Sequence, residues 1–244
     1  MIRTNRLAVL VSFPVLLALS ASPAEDNALS EKEKNEGWIL LFDGKTLNGW
    51  MTSGGKPSKV PVEDHSINPH GCGDYMMVYQ KPVGDFILSL DFMISKSCNS
   101  GIFIRTSSLT PMPGKDVGFN GIEVAIDDTR TAGFVDTGAL YDLVKPKSNA
   151  MKRSADGDAA GQWNHAVIAC ERNLISVELN GELVTKMDLD EWMEKGKRPD
   201  GSRHKFDDTA YRDHPRKGYL GLQDHGSNCW FKNIKLKPLG KEKV

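Results

Sequence analysis

Apolar and polar residues alternate over much of this chain. Phe86, Leu88, Leu90, Phe92 and Ile94 share one parity while Ser89 and Asp91 take the other, a period of two that predicts a half-buried strand over Phe86 to Ile94. In Ser100 to Thr106 the same period turns Ile102 and Ile104 inward and sets Phe103 and Arg105 opposite. In Gly121 to Asp127, Ile122, Val124 and Ile126 face the core and leave Glu123, Ala125 and Asp127 on the other side. Residues 163–170 and 174–180 continue the pattern, the second with Ile175, Val177 and Leu179 inward. Asn180-Gly181 is a two-residue hairpin signal, because both central positions of a type I′ turn need positive φ, and Glu182 to Met187 is the returning strand. Tyr219 to Gln223 and Cys229 to Leu236 complete the set. About ten strands with long connections predict an all-β, two-sheet jelly-roll sandwich.

The segments between strands are less regular. Leu189 to Lys195 can form one short helix before Gly196, and residues 196–217 make a long polar loop. A loop of that length in a compact domain is unusual and often functional. Residues 25–36 are charged without an apolar face and read as a solvated lead-in or one loose helical turn.

The long apolar run lies at the start. Arg3 and Arg6 precede the 13 residues Leu7 to Leu19, and Ser22-Pro23-Ala24 supplies small residues for cleavage. Thirteen apolar residues interrupted by Pro14 fall short of the roughly 20 needed to cross a bilayer. Residues 1–24 are therefore expected to be a cleaved export signal that leaves a periplasmic or extracellular protein with no membrane anchor. The expected organisation is lead-in 25–36, sandwich 37–239 and tail 240–244. Losing the two leader arginines makes the exported domain mildly acidic.

Composition excludes some functions. With 31 Lys+Arg against 32 Asp+Glu and no basic stripe, the chain is not a nucleic-acid binder by charge. Cys72, Cys98, Cys170 and Cys229 all follow the leader, and none forms a C-x-x-C pair that would suggest a zinc knuckle. Buried free thiols or one structural bridge are both open readings.

Several segments, in order, resemble one family. They are LFDGKTLNGW (Leu41 to Trp50), GDFILSLDF (Gly84 to Phe92), NSGIFIR (Asn99 to Arg105), GIEVAIDD (Gly121 to Asp128), TGALYDL (Thr137 to Leu143), GQWNHAVI (Gly161 to Ile168), VELNGELV (Val177 to Val184) and GYLGLQDHGSNCWFKNIKLKPL (Gly218 to Leu239). The family is the 3-keto-disaccharide hydrolase domain, and the resemblance spans about residues 37 to 239. It implies a concanavalin A-like lectin/glucanase sandwich acting on oxidised glycosides. That fold also hosts binding modules, so a non-catalytic carbohydrate-binding module and a conventional glycosidase are the rival readings.

Candidate chemistry follows from strand parity and these segments together. Arg105, Glu123 and Gln223 fall on the face opposite the aliphatic set and can converge on one polar sheet face. Conventional glycosidases use two carboxylates about 5 to 10 Å apart, and sandwich-fold glucanases often carry E-x-D-x-x-E. Here the run is Glu123-Val-Ala-Ile-Asp127-Asp128, which places Glu123 and Asp127 about 13 Å apart along a strand. A 3-keto sugar needs less: its ketone acidifies the C2 proton, a base removes it, and the C1 substituent leaves. Glu123 and His225 are the acid/base candidates, with Arg105 or a bound divalent metal ion opposite the enolate oxygen. Asn99, Asp127, Asp128, Tyr141, Gln223 and Trp230 are the substrate-binding candidates. Tyr141, Trp230 and Trp163 offer rings for stacking on a sugar, and Asp127-Asp128 offers oxygens for a hard cation. The remaining histidines are expected on the surface or in structural roles, and Trp38 and Trp50 to pack structurally. No glycine-rich dinucleotide loop is present, so a separate sugar 3-oxidoreductase is expected to supply the small carbohydrate substrate.

Overall fold

The structure, a computed structural model, describes residues 25–128, 133–208 and 210–240. The expected leader and residues 241–244 of the expected tail lie outside the described residues. The strands are β1 Ile39–Leu40, β2 Trp50–Thr52, β3 Met76–Tyr79, β4 Phe86–Ile94, β5 Asn99–Thr106, β6 Ile122–Asp127, β7 Asn164–Glu171, β8 Leu174–Leu179, β9 Glu182–Asp188, β10 Tyr219–Gln223 and β11 Cys229–Pro238. They form a six-stranded sheet in the order β1-β11-β4-β7-β8-β9 and a five-stranded sheet in the order β2-β3-β10-β5-β6. All strand pairs are antiparallel. The molecule is the expected all-β sandwich of two antiparallel sheets.

The period-two pattern explains the layering. On β4, Phe86, Leu88, Leu90, Phe92 and Ile94 are buried and the intervening residues are half-buried. These side chains join Ile168 and Phe231 of the same sheet and meet Met77, Ile102, Ile104, Val124 and Leu222 from the other. Each such side chain contributes about 1.5–3 kcal/mol when fully buried. The hairpin forms as expected: Asn180 and Gly181 have φ of 52° and 83°, and Leu179 faces Glu182 across the turn.

The five-stranded sheet is different, because β6 is buried on both faces. Its free edge is taken by residues 138–141. Gly138 N donates to Ala125 O, Ala125 N to Ala139 O, and Tyr141 N to Glu123 O, each at 2.9 Å. An edge strand that would otherwise expose unpaired backbone is thereby satisfied and walled in.

Some expectations need correction. Arg105 does not share a face with Glu123. The β5–β10 ladder slips between Tyr219 and Gly221, and Arg105 takes φ of 50°. A bulge of this kind reverses side-chain parity. The fully buried guanidinium instead runs to the end of the opposite sheet, where Nη2 lies 3.2 Å from Asp85 Oδ1 and donates to Arg172 O at 2.8 Å. The lead-in forms the helical turn allowed for it and is tied down at one buried residue. A short helix, α1 Glu31–Asn35, is capped by Ser30 and Glu33, and the buried Asn27 exchanges hydrogen bonds with Asn233 at 2.6 and 2.8 Å. The expected helix over Leu189 to Lys195 is a 3-10 turn, Leu189–Glu191. All four cysteines are buried free thiols.

Candidate functional site

A polar cleft of about 300 Å³ opens on the outer face of the five-stranded sheet. That is the lower end of the size range of small-molecule sites. Strand β6 supplies Glu123, Ala125 and Asp127, β5 supplies Asn99, β10 supplies Gln223, and His225 follows in the turn after β10. Tyr75, Asp116, Val135, Tyr141 and Lys205 complete the lining. Of the expected site residues, Asn99, Glu123, Asp127, Tyr141, Gln223 and His225 therefore meet in one place.

The other three do not. Arg105 is held between the sheet ends as described. Asp128 turns away from Asp127, 2% exposed, and pairs with Arg153 Nη1 at 2.7 Å. The two neighbouring carboxyls thus diverge, as side chains one residue apart on extended backbone must. Trp230 belongs to β11 of the other sheet and donates from Nε1 to Glu63 Oε2 at 2.9 Å. Trp163 lies under the Lys232 ammonium at 4.4 Å. Among the described residues, no group of three or more His, Cys, Asp or Glu is arranged to hold a metal ion.

Glu123 forms the floor of the cleft. It is 8% exposed, and no hydrogen bond or ion pair reaches its carboxyl among the described residues. Its side chain lies flat over Gly101 of the adjacent strand, where a β-carbon would come within 2.6 Å of Oε1. Burial drives its pKa up to about 8; Asp116 and Asp127 push the same way, against the opposing pull of Lys205. A carboxyl in that state exchanges protons near neutrality. His225, by contrast, is exposed at the rim.

Lys205 was not singled out in the sequence, although the loop that carries it was. Two devices hold the loop. The first is an aromatic anchor in which Trp192, His204 and Tyr211 lie 5.7 to 5.9 Å apart and Phe206 packs edge-on against Phe119 at 5.3 Å. The second is a clamp on Asp142. Arg198 Nη2 donates to Asp142 Oδ1 at 3.0 Å and to its backbone O at 2.6 Å, and Lys205 N donates to Asp142 Oδ2 at 2.7 Å. The Lys205 ammonium then lies 4.2 Å from the Tyr141 ring centre and 5.2 Å from that of Phe119. One face of Tyr141 is thus occupied by a cation. Tyr75 and Asp116 were also missed, since they reach the cleft from outside the strands that parity could read.

Residues 37–237 match the sequence profile of the 3-keto-alpha-glucoside-1,2-lyase-like domain. The chain belongs to that family. It is 27% identical over 256 aligned positions to a 3-keto-disaccharide hydrolase of Bacteroides thetaiotaomicron, covering 90% of this chain and 84% of that one. Two crystal structures from Parabacteroides distasonis ATCC 8503, each described as a "putative glycosyl hydrolase", share the fold. One has a TM-score of 0.69 at 28% identity over 83% of this chain and 99% of its own; the other 0.68 at 27% over 88% and 100%. The family match takes in β1 to β10, most of β11 and every residue of the cleft.

Proposed function

We propose that this chain cleaves 3-keto-glycosides, 3-keto-disaccharides among them, by β-elimination and hydration in the cleft floored by Glu123. The observation that carries the reading is a buried, unpaired carboxyl beside a lysine, in a polar cleft of a chain of this family. Desolvation makes Glu123 a stronger base than an ordinary carboxylate, and in its ionised form it takes the C2 proton acidified by the C3 ketone. Lys205 serves the enolate oxygen, the role expected of Arg105, as a cation already fixed in place by Asp142 and Tyr141. The enolate then collapses, the C1=C2 double bond forms, and the C1–O bond breaks. His225 at the rim gives its proton to the departing oxygen, where the aglycone can leave toward solvent. Water adding across C1=C2 completes a net hydrolysis. Asn99, Asp127 and Gln223 hold sugar hydroxyls.

The substrate is already oxidised, so a separate sugar 3-oxidoreductase must supply it. Export through the leader sets the reaction outside the cytoplasm.

Incubating the pure protein with a 3-keto-disaccharide in deuterated water tests the mechanism. Released 3-keto-monosaccharide carrying deuterium at C2 is the expected product. Release without early C2 deuterium would replace elimination by displacement at C1. Binding of plain glycans with no release from any 3-keto-glycoside would make this a binding module.

A further inference from the structure

We propose that Gln223 selects the substrate by accepting the proton of one sugar hydroxyl at its Oε1, and that Tyr75 holds the amide in the orientation this requires. The inference rests on the reading of the cleft as a sugar site.

Gln223 is 3% exposed and lines the cleft, yet its Oε1 has no hydrogen-bond partner among the described residues. A buried acceptor left unpaired costs about 1–3 kcal/mol, which a ligand hydroxyl recovers on binding. The residue itself is well held, with its backbone O accepting from Ser100 Oγ at 2.9 Å and its Nε2 donating to Tyr75 Oη at 2.9 Å.

An amide considered alone could be turned over to present its NH2 to the cleft instead. Tyr75 decides between the two orientations. Its hydroxyl oxygen accepts from Gln223 Nε2 at 2.9 Å and lies close to Asp116. The two groups crowd the same point, for a β-carbon at residue 118 would lie 2.5 Å from Tyr75 Oη and 2.9 Å from Asp116 Oδ1. Asp116 is oriented in turn by the Gly118 N–H, which donates to it at 2.9 Å. With Nε2 engaged by Tyr75 Oη, the oxygen is the end of the amide left without a partner. Oε1 is then the acceptor that a hydroxyl entering the cleft beside Gln223 would complete.

This gives the cleft two unlike ends. Lys205 offers donors and Gln223 an acceptor, so a keto-sugar enters with its carbonyl toward Lys205 and a hydroxyl toward Gln223. A carboxylate, phosphate or second ketone placed against Oε1 would be repelled.

Titration of the full chain with glucose and each monodeoxyglucose, followed by NMR or calorimetry, tests this without turnover. In wild type, removal of one particular hydroxyl is expected to weaken binding about tenfold to a hundredfold. In Gln223→Leu that penalty shrinks to about twofold while the other analogues keep their rank. Tyr75→Phe frees the amide and loses part of the same discrimination. Equal weakening of every sugar by Gln223→Leu would make the residue structural and overturn the assignment, as would the absence of any monosaccharide binding. Failure of 3-keto-glycoside cleavage with the coupled hydroxyl effect intact would overturn the reaction and leave the Gln223 assignment standing.

Discussion

On β4 of the six-stranded sheet, Asp91 points outward and meets His165 Nδ1 at 2.6 Å and Asn233 Nδ2 at 2.7 Å. On β6 of the five-stranded sheet, Glu123 points outward and meets no donor among the described residues. Both carboxylates come from the polar parity of an alternating strand, yet the first completes a surface network while the second is walled in by residues 138–141 and the Lys205 loop. The depressions beside them differ in the same way. A hollow of about 430 Å³ over β7, β8 and β9 is larger than the cleft and exposes Leu174 at 57%, but its wall has no buried polar group without a partner. Volume does not distinguish the two faces. What marks the five-stranded one is polar atoms buried without partners, a state that is costly unless a ligand completes it.

The contrast is most easily broken at Glu123. Glu123→Gln is expected to lower kcat at least a hundredfold, the scale of lost acid-base catalysis, while Asp91→Asn leaves kcat within about twofold. Equal effects in steady-state assays would erase the distinction between the faces. The same variant has a stability signature. Its carboxyl has a folded-state pKa near 8, above the ordinary 4.5, so its contribution to stability is full below about 4.5 and is lost as pH rises to 8. Glu123→Gln should therefore be more stable than wild type at pH 8, by on the order of 3 kcal/mol, with the gap closing toward pH 5. Urea midpoints at the two pH values measure this.

Lys205→Met comes next, with an expected loss of about tenfold to a hundredfold in kcat. Because Lys205 pulls the Glu123 pKa down, its removal should also move the rising limb of the pH–kcat/KM profile upward. A lower rate with an unmoved limb would place Lys205 elsewhere in the mechanism. Asp142→Ala releases the clamp and should reproduce the upward movement in weaker form, with a rate loss of about tenfold.

Arg105→Met sharpens the comparison from the other side. It is expected to cost about 3 kcal/mol in urea unfolding, since Asp85 loses its ion pair and keeps only the Arg172 N–H. The rate per folded molecule should stay within about threefold. The smallest change is expected for Trp230→Phe, about 1 kcal/mol of stability from the lost bond to Glu63 and no measurable effect on kcat/KM.

Arg105 and Lys205 show where the sequence stopped being legible. Alternation identified Glu123 and Gln223 as polar-face residues because β6 and β10 keep their register up to those positions. The same rule failed at Arg105, two residues beyond Phe103 on β5, because one left-handed backbone angle reversed the parity. Lys205 stands in a run with no period. Its place in the cleft depends on Arg198 and Asp142, partners 7 and 63 positions away in the chain, so no local pattern could reveal it. Trp230 was assigned by composition and aromaticity, and only the strand order sets it on the other sheet.

By itself, the sequence determined the sandwich: period-two burial, the Asn180-Gly181 turn and the strands from β4 onward are local properties of side-chain size and backbone freedom. Which polar face closes into a cleft was decided by tertiary structure alone. That outcome depends on a bulge, on two long connections folding back over β6, and on which buried carboxyl and amide are left without a partner, and each of these is a relation between residues far apart in the chain.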